Sequence, residues 1–261
     1  MIKKILIFSF GTILLFSACT KEKNLTGPSD KTYASVSITN ANASGKIVDA
    51  FIDQVKINNA STIAANGTIT GTYIGITPGT HNILVRDIST VIPAIDYLNS
   101  SITVAGGNAY SYFIYDTLTA GKFKGILLNS DRIINYNTTN TNVRFLNLSP
   151  KSPLLDFILV RREAAINKDS VVLYSSVPYL GNVATPDITA LSAFKPVLGN
   201  AAAGATAPTS GVTDYIARVK LAGTNTVVAS TLVITLIPGR NYTFFARGIY
   251  PAVIITTLLS N

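Results

Sequence analysis

One histidine, His81, and thirteen scattered Asp and Glu residues supply the chain's obvious acid–base chemistry. A Ser-His-Asp triad would need His81 as its base, and a zinc site would need more His or Cys than the chain contains. His81 follows Pro78, Gly79 and Thr80 at the start of an extended segment and reads as an ordinary turn histidine. No G-x-S-x-G elbow or glycine-rich phosphate loop occurs. A retaining glycosidase needs two carboxylates about 5 Å apart. Asp49 and Asp53 would share a strand face at roughly 13 Å, which is too far. These residues therefore imply no catalytic residues, no metal ligands and no cofactor. Asp49 is matched by Asp156 in the second half, and that recurrence favours a structural role over a ligand or calcium contact. Tyr110, Tyr112 and Ile114 alternate onto one face, where core packing is the expected use. Were Tyr112 exposed instead, it would be a sugar-stacking candidate.

The remaining reactive side chain is Cys19, the chain's only cysteine. A basic opening (Lys3, Lys4) precedes the apolar stretch Ile5–Ala18, which is short for a membrane-spanning helix. Residues 1–18 thus read as a signal peptide of the lipoprotein type, with Cys19 lipidated and made the new N-terminus. A single acyl chain anchors a protein only marginally, so durable attachment takes several chains. A thiol and a freed α-amine on one residue can carry them. Residues 19–32 read as a polar tether. No aspartate follows Cys19, which favours the outer membrane, on its periplasmic or surface face. Membrane attachment through the N-terminal lipid is the first expected partner.

The formal charge of +8 includes Lys3 and Lys4, leaving about +6 (8 − 2) after cleavage. The basic residues are dispersed rather than gathered with aromatics, so no nucleic-acid partner is expected. Arg161 and Arg162 read as a solvated hairpin tip. With one cysteine, no disulfide holds the fold. Only 13% of residues are charged, and Thr, Ser, Asn, Val, Ile and Tyr abound, which is the composition of a sheet protein.

The elements bear this out along the chain. Residues Ala34–Thr39 alternate strictly, with Ala34, Val36 and Ile38 predicted inside. Further strands are predicted at Ile47–Ile52, Thr68–Ile76, His81–Val85, Ser101–Val104 and Tyr110–Tyr115, separated by turn residues. The second half then repeats the first. Setting Val36 against Val143, an offset of 107 (143 − 36), brings Asn40 onto Asn147 and Asp49 onto Asp156. Setting Tyr110 against Tyr242, an offset of 132 (242 − 110), brings Ile102 onto Ile234, Gly107 onto Gly239 and Phe113 onto Phe245. The second copy therefore carries 25 additional residues (132 − 107), expected within 161–211 and most simply in the small-residue loop near 198–211. Lys168–Tyr174 and Asp214–Leu221 are predicted to flank it as strands, and Asp187–Ser192 as a short helical turn. The fold class is all-β: two tandem antiparallel β-sandwiches after the signal peptide. Repeat 1 spans 33–134, a linker 135–141, and repeat 2 142–261. One larger jelly-roll or barrel is the alternative.

Asn142–Pro150 (NVRFLNLSP), followed by Leu155, Asp156 and Phe157, resembles the opening of the "domain of unknown function 4397" family. Ile237–Gly248 (IPGRNYTFFARG) resembles that family's closing hairpin, and residues 33–116 show a fainter likeness. The first copy departs from the pattern at Ala43 and Ser44, where the Ser-Pro turn is missing. The resemblance implies immunoglobulin-like sandwiches, often in tandem, in cell-envelope lipoproteins of Bacteroidota. The expected function is then a non-catalytic structural or interaction module whose partners are envelope proteins. A glycan-binding lipoprotein for polysaccharide capture is the alternative, and an unrecognised hydrolase a distant third.

Overall fold

The computed structural model describes residues 32–58, 61–65, 73–88, 94–118, 121–129, 140–163, 166–198 and 213–260. The expected signal peptide, Cys19, nearly all of the expected tether, the expected linker up to residue 139 and residues 199–212 lie outside them. The described chain forms four four-stranded sheets, two in each half.

In the first half, β1 (Ala34–Asn40), β4 (Ile74–Ile76), β7 (Ala109–Tyr115) and β8 (Lys124–Asn129) make sheet A in the order β4-β1-β7-β8. Sheet B is β3-β2-β5-β6, from β2 (Val48–Ile52), β3 (Val55–Lys56), β5 (Gly79–Asp87) and β6 (Asp96–Val104). The strict alternation of β1 puts Ala34, Val36 and Ile38 into a core with Tyr112 and Ile114 of the neighbouring β7 and Ala50, Ile83 and Val85 of the facing sheet B. In the second half, sheet C runs β12-β9-β15-β16 and sheet D runs β11-β10-β13-β14. These strands are β9 (Asn140–Asn147), β10 (Leu155–Glu163), β11 (Ile166–Val177), β12 (Lys195–Leu198), β13 (Thr213–Leu221), β14 (Val227–Leu236), β15 (Asn241–Arg247) and β16 (Ile254–Ser260). A separate core gathers Val143, Phe145, Phe157, Leu159, Ala217, Val219 and Phe244. Two cores, each drawn from its own half, make two tandem sandwich-like units rather than one large jelly-roll.

The registers of the two halves coincide. β1 and β7 are parallel with Val36 beside Tyr110, and β9 and β15 are parallel with Val143 beside Tyr242. Ile102 stands opposite His81 as Ile234 stands opposite Tyr215. The turn before β7 places Gly107 at φ 78°, and the turn before β15 places Gly239 at φ 75°. Both positions need the left-handed conformation that glycine adopts at little cost.

The halves differ between their second and fifth strands. In the first, β2 leads into the two-residue β3. In the second, β10 leads into the twelve-residue β11. A 3₁₀ turn (Leu180–Asn182) and helix α1 (Ile188–Ser192), capped by the Asp187 carboxylate accepting from the Ala190 N–H, then lead to β12. Much of the additional length is therefore this strand and strap, ahead of the small-residue loop. Arg161 and Arg162 lie within β10, and Arg161 pairs with Asp169 across the ladder rather than forming a hairpin tip.

The strap crosses the junction between the units. A third apolar cluster joins the outer face of sheet A (Ala41, Phe113, Tyr115, Ile126, Leu128) to that of sheet C (Leu146, Leu148, Phe245), and Tyr179 and Leu180 of the strap complete it. Phe113 and Phe245, equivalent by duplication, meet edge to face at 5.6 Å. A residue touching its own counterpart is the mark of an isologous contact, here within one chain. Both ends of the strap are fastened to β8 of the first sandwich: Lys124 Nζ donates to the Gly181 carbonyl at 2.6 Å, and the Asn129 N–H donates to Ser192 Oγ at 3.0 Å.

Candidate functional site

Duplication lets each candidate residue be compared with its counterpart. Asp156 accepts the N–H of Ser176 at 2.8 Å and of Gly223 at 3.2 Å, tying β11 and the β13–β14 turn to β10. Asp49 accepts from Asn58 Nδ2 at 2.8 Å and pairs with Lys56 at 2.9 Å. Both carboxylates are engaged within their own sandwich. Asp53 does not share a strand with Asp49: β2 ends at Ile52, and Asp53 sits in the turn at φ 49°.

Asp53 instead meets His81. The ring's Nδ1 lies 2.6 Å from Asp53 Oδ2, and its Nε2 lies 2.7 Å from the Thr77 carbonyl. A carbonyl only accepts, so Nε2 carries a hydrogen, and the carboxylate draws a second hydrogen onto Nδ1. The hydrogen bond to Asp53 outweighs partial burial and raises the imidazolium pKa above its usual value. The Asn82 N–H, and then His81, hold the Asp53 carboxylate below the usual range. An Asp-His pair is present, but the nitrogen that would face a nucleophile is committed to the backbone.

Tyr112 is 2% exposed, and its hydroxyl shares a hydrogen bond of 2.7 Å with Ser100 Oγ. Burial pushes its pKa up to about 12. The ring lies over Gly125 of β8, where a side chain would collide with it. Tyr110 and Tyr242 are buried too, which leaves these faces unavailable for stacking on a sugar. Their hydroxyls do something the sequence reading missed. Tyr110 accepts the Ala105 N–H at 2.9 Å and Tyr242 the Ile237 N–H at 3.1 Å, so each pins the glycine turn before its own strand. Asn40 and Asn147 behave likewise: their side-chain amides donate to the Ile63 and Val177 carbonyls. The signal was available as a tyrosine three residues after the turn glycine and an asparagine at the end of the first strand, in both copies.

A cleft of about 630 Å³ opens at the junction, lined by Ser44, Asp116, Lys124, Lys151, Tyr179 and Asn182 among others. Asp116, in the left-handed region at φ 85°, pairs with Lys124 at 3.1 Å. Burial opposes its ionisation, but Tyr179, the Thr117 N–H and Lys124 outweigh that and lower its pKa. Burial and the nearby Asp116 charge raise the Tyr179 phenol well above its usual value, so it stays protonated. The cleft thus holds a paired carboxylate and a protonated phenol, with no activated nucleophile. Among the described residues, no group of three His, Cys, Asp or Glu is placed to hold a metal ion. No described helix is long and apolar enough to cross a membrane.

Residues 34–158 match the family model "Domain of unknown function (DUF4397)". The chain carries a DUF4397-like domain. The match takes in the whole first copy and ends in β10, ahead of the long β11 and the strap that distinguish the second. No curated protein matches the chain in sequence. Among solved structures, similarity is found to a candidate cell adhesion protein from Bacteroides ovatus, at 8% identity over 88% of this chain and 98% of that one, with a TM-score of 0.29. Candidate cell adhesion proteins from Bacteroides fragilis (8% identity, TM-score 0.22) and Bacteroides uniformis (11%, 0.19) are each covered over 98%, by 89% of this chain. TM-scores this low do not establish a shared fold.

Proposed function

We propose that the chain is a non-catalytic lipoprotein of the bacterial cell envelope, a rigid two-sandwich module that acts by binding other envelope components. The observation that carries this reading is the commitment of its reactive groups. Both nitrogens of the sole histidine are bonded within the fold, and Asp49, Asp116 and Asp156 each serve structural partners. The lipoprotein part rests on Lys3, Lys4, the apolar Ile5–Ala18 and Cys19. Outer-membrane placement rests on the absence of aspartate after Cys19. The immunoglobulin-like reading is supported by paired four-stranded sheets whose first and seventh strands run in parallel.

Two measurements test the proposal. The mature N-terminal peptide is expected to be an acylated Cys19 by mass spectrometry, with Cys19→Ala moving the protein out of the membrane fraction. In-cell crosslinking of the anchored chain is expected to give specific envelope-protein adducts. A chain that yields none, yet turns over an envelope polymer, would overturn the reading.

A further inference from the structure

Features common to both copies belong to the fold, so a feature present in one copy alone calls for another reason. The junction cleft holds such a feature. The chain turns after β7 at Asp116 and after β15 at Gly248, the equivalent position, with φ 85° and 81°. Glycine adopts that left-handed conformation freely, whereas an aspartate takes it up at a cost. By register, Lys124 opens β8 where Ile254 opens β16. The turn therefore works without a carboxylate and the strand without an ammonium. Lys124 has one evident use, since it fastens the strap through the Gly181 carbonyl. Asp116 does not share it. Its Oδ1 accepts the Thr117 N–H at 2.7 Å and its Oδ2 pairs with Lys124 at 3.1 Å, which leaves a lone pair on each oxygen. The side chain is 18% exposed and lines the cleft. Tyr179 of the strap stands beside it and is 5% exposed, yet its hydroxyl meets no acceptor in hydrogen-bonding geometry. A buried polar group left without a partner calls for one.

These groups narrow the chemistry of what would sit there. A carboxylate or phosphate would meet the Asp116 charge, and an ammonium would meet Lys124 and has no lone pair for the phenol. A hydroxyl avoids both conflicts: through one atom it donates to the carboxylate and accepts from the phenol. Asn182, also on the cleft, carries an amide that both donates and accepts. Leu118, Pro150 and Ile249 give the same cleft an apolar lining against which C–H groups can pack. Its volume of about 630 Å³ lies within the range of small-molecule sites. We propose that the junction cleft binds a neutral, hydroxyl-rich saccharide, with one sugar hydroxyl seated between Asp116 and Tyr179. The inference rests on reading the chain as a binding module and names a class of ligand for it.

The test is calorimetric titration of the full chain, in a detergent without a sugar headgroup, with mannotriose, xylotriose, cellotriose, maltotriose and the acidic trigalacturonate. Saturable binding of at least one neutral trisaccharide is expected, in preference to trigalacturonate. Asp116→Gly installs the residue the second copy uses at this turn, so it should leave the melting temperature nearly unchanged while weakening binding by about tenfold or more. Tyr179→Phe removes only a hydroxyl that has no bond in the free protein. It should keep or raise the melting temperature and weaken binding as well. A chain that binds none of the neutral sugars, or binds them equally well in both variants, would overturn the site. Preference for trigalacturonate would assign the cleft to anions through Lys124 and Lys151 and overturn the neutral class. None of these results decides whether the chain engages envelope proteins; the crosslinking measurement does that separately, so either reading can fail without the other.

Discussion

At the scale of single residues, polar side chains in this protein act as fasteners. His81 is the clearest case, because its two bonds hold together only while the ring is protonated. Its pKa is raised above the unfolded value of 6.5. The stability it contributes is therefore complete below about pH 6.5 and declines as pH climbs through the higher folded value. Denaturant melts between pH 5 and 9 are expected to show that decline, and His81→Gln should flatten it. Asp156 should be sensitive in a different way. Asp156→Ala removes the bonds to the exposed Ser176 and Gly223 N–H groups, which water then satisfies, and is expected to cost about 0.5–1.5 kcal/mol in chemical denaturation. The pairing of Asp49 with Asp156 was legible in the sequence as a shared offset. The Asp53–His81 bond was not, because a turn at Ile52 takes Asp53 off the strand that spacing alone assigned to it.

At the scale of elements, alternation was enough to place β1, β7 and β13 and to say which faces they bury. It could not place β3 or β8, since a two-residue strand has no period and β8 opens with Lys124 and Gly125. Gly125 is explained only by its neighbour: the Tyr112 ring occupies the space where a side chain would stand. Gly125→Ala is expected to destabilise the first sandwich by about 1–3 kcal/mol, seen in a thermal melt, by displacing that ring. The strap is a similar case. Its helix turn at Asp187–Ser192 was expected from the sequence, but its position across the junction depends on Tyr179 and Leu180 packing against the other unit. No local pattern reveals that contact.

For the molecule as a whole, the two units share a buried junction that the duplication disguises. The two sheets that meet there differ in side-chain size. Ser37, Thr39 and Ala41 on sheet A correspond to Arg144, Leu146 and Leu148 on sheet C, and all six are buried. Arg144, fully enclosed, donates to Thr243 Oγ1 at 2.9 Å and lies over the Phe194 ring. Small residues on one sheet thus stand where the other carries large ones, so the two outer faces differ in shape. Phe113 sits at the centre of this contact. Phe113→Ala should remove about 3–5 kcal/mol and divide a single calorimetric transition into two, one per sandwich. Retention of one transition would mean that the units are coupled mainly through the strap.

The parallel pairing of β1 with β7 also bears on how the protein is made. In each copy the opening strand lies between a neighbour of three residues or so and one that arrives nearly at the copy's end, with Ser35 beside Ala109 and Asn142 beside Asn241. A chain delivered N-terminus first cannot complete either sandwich until that late strand has emerged. During synthesis the leading strand stays unfinished, and the second copy stays open longer because its detour through the strap comes first.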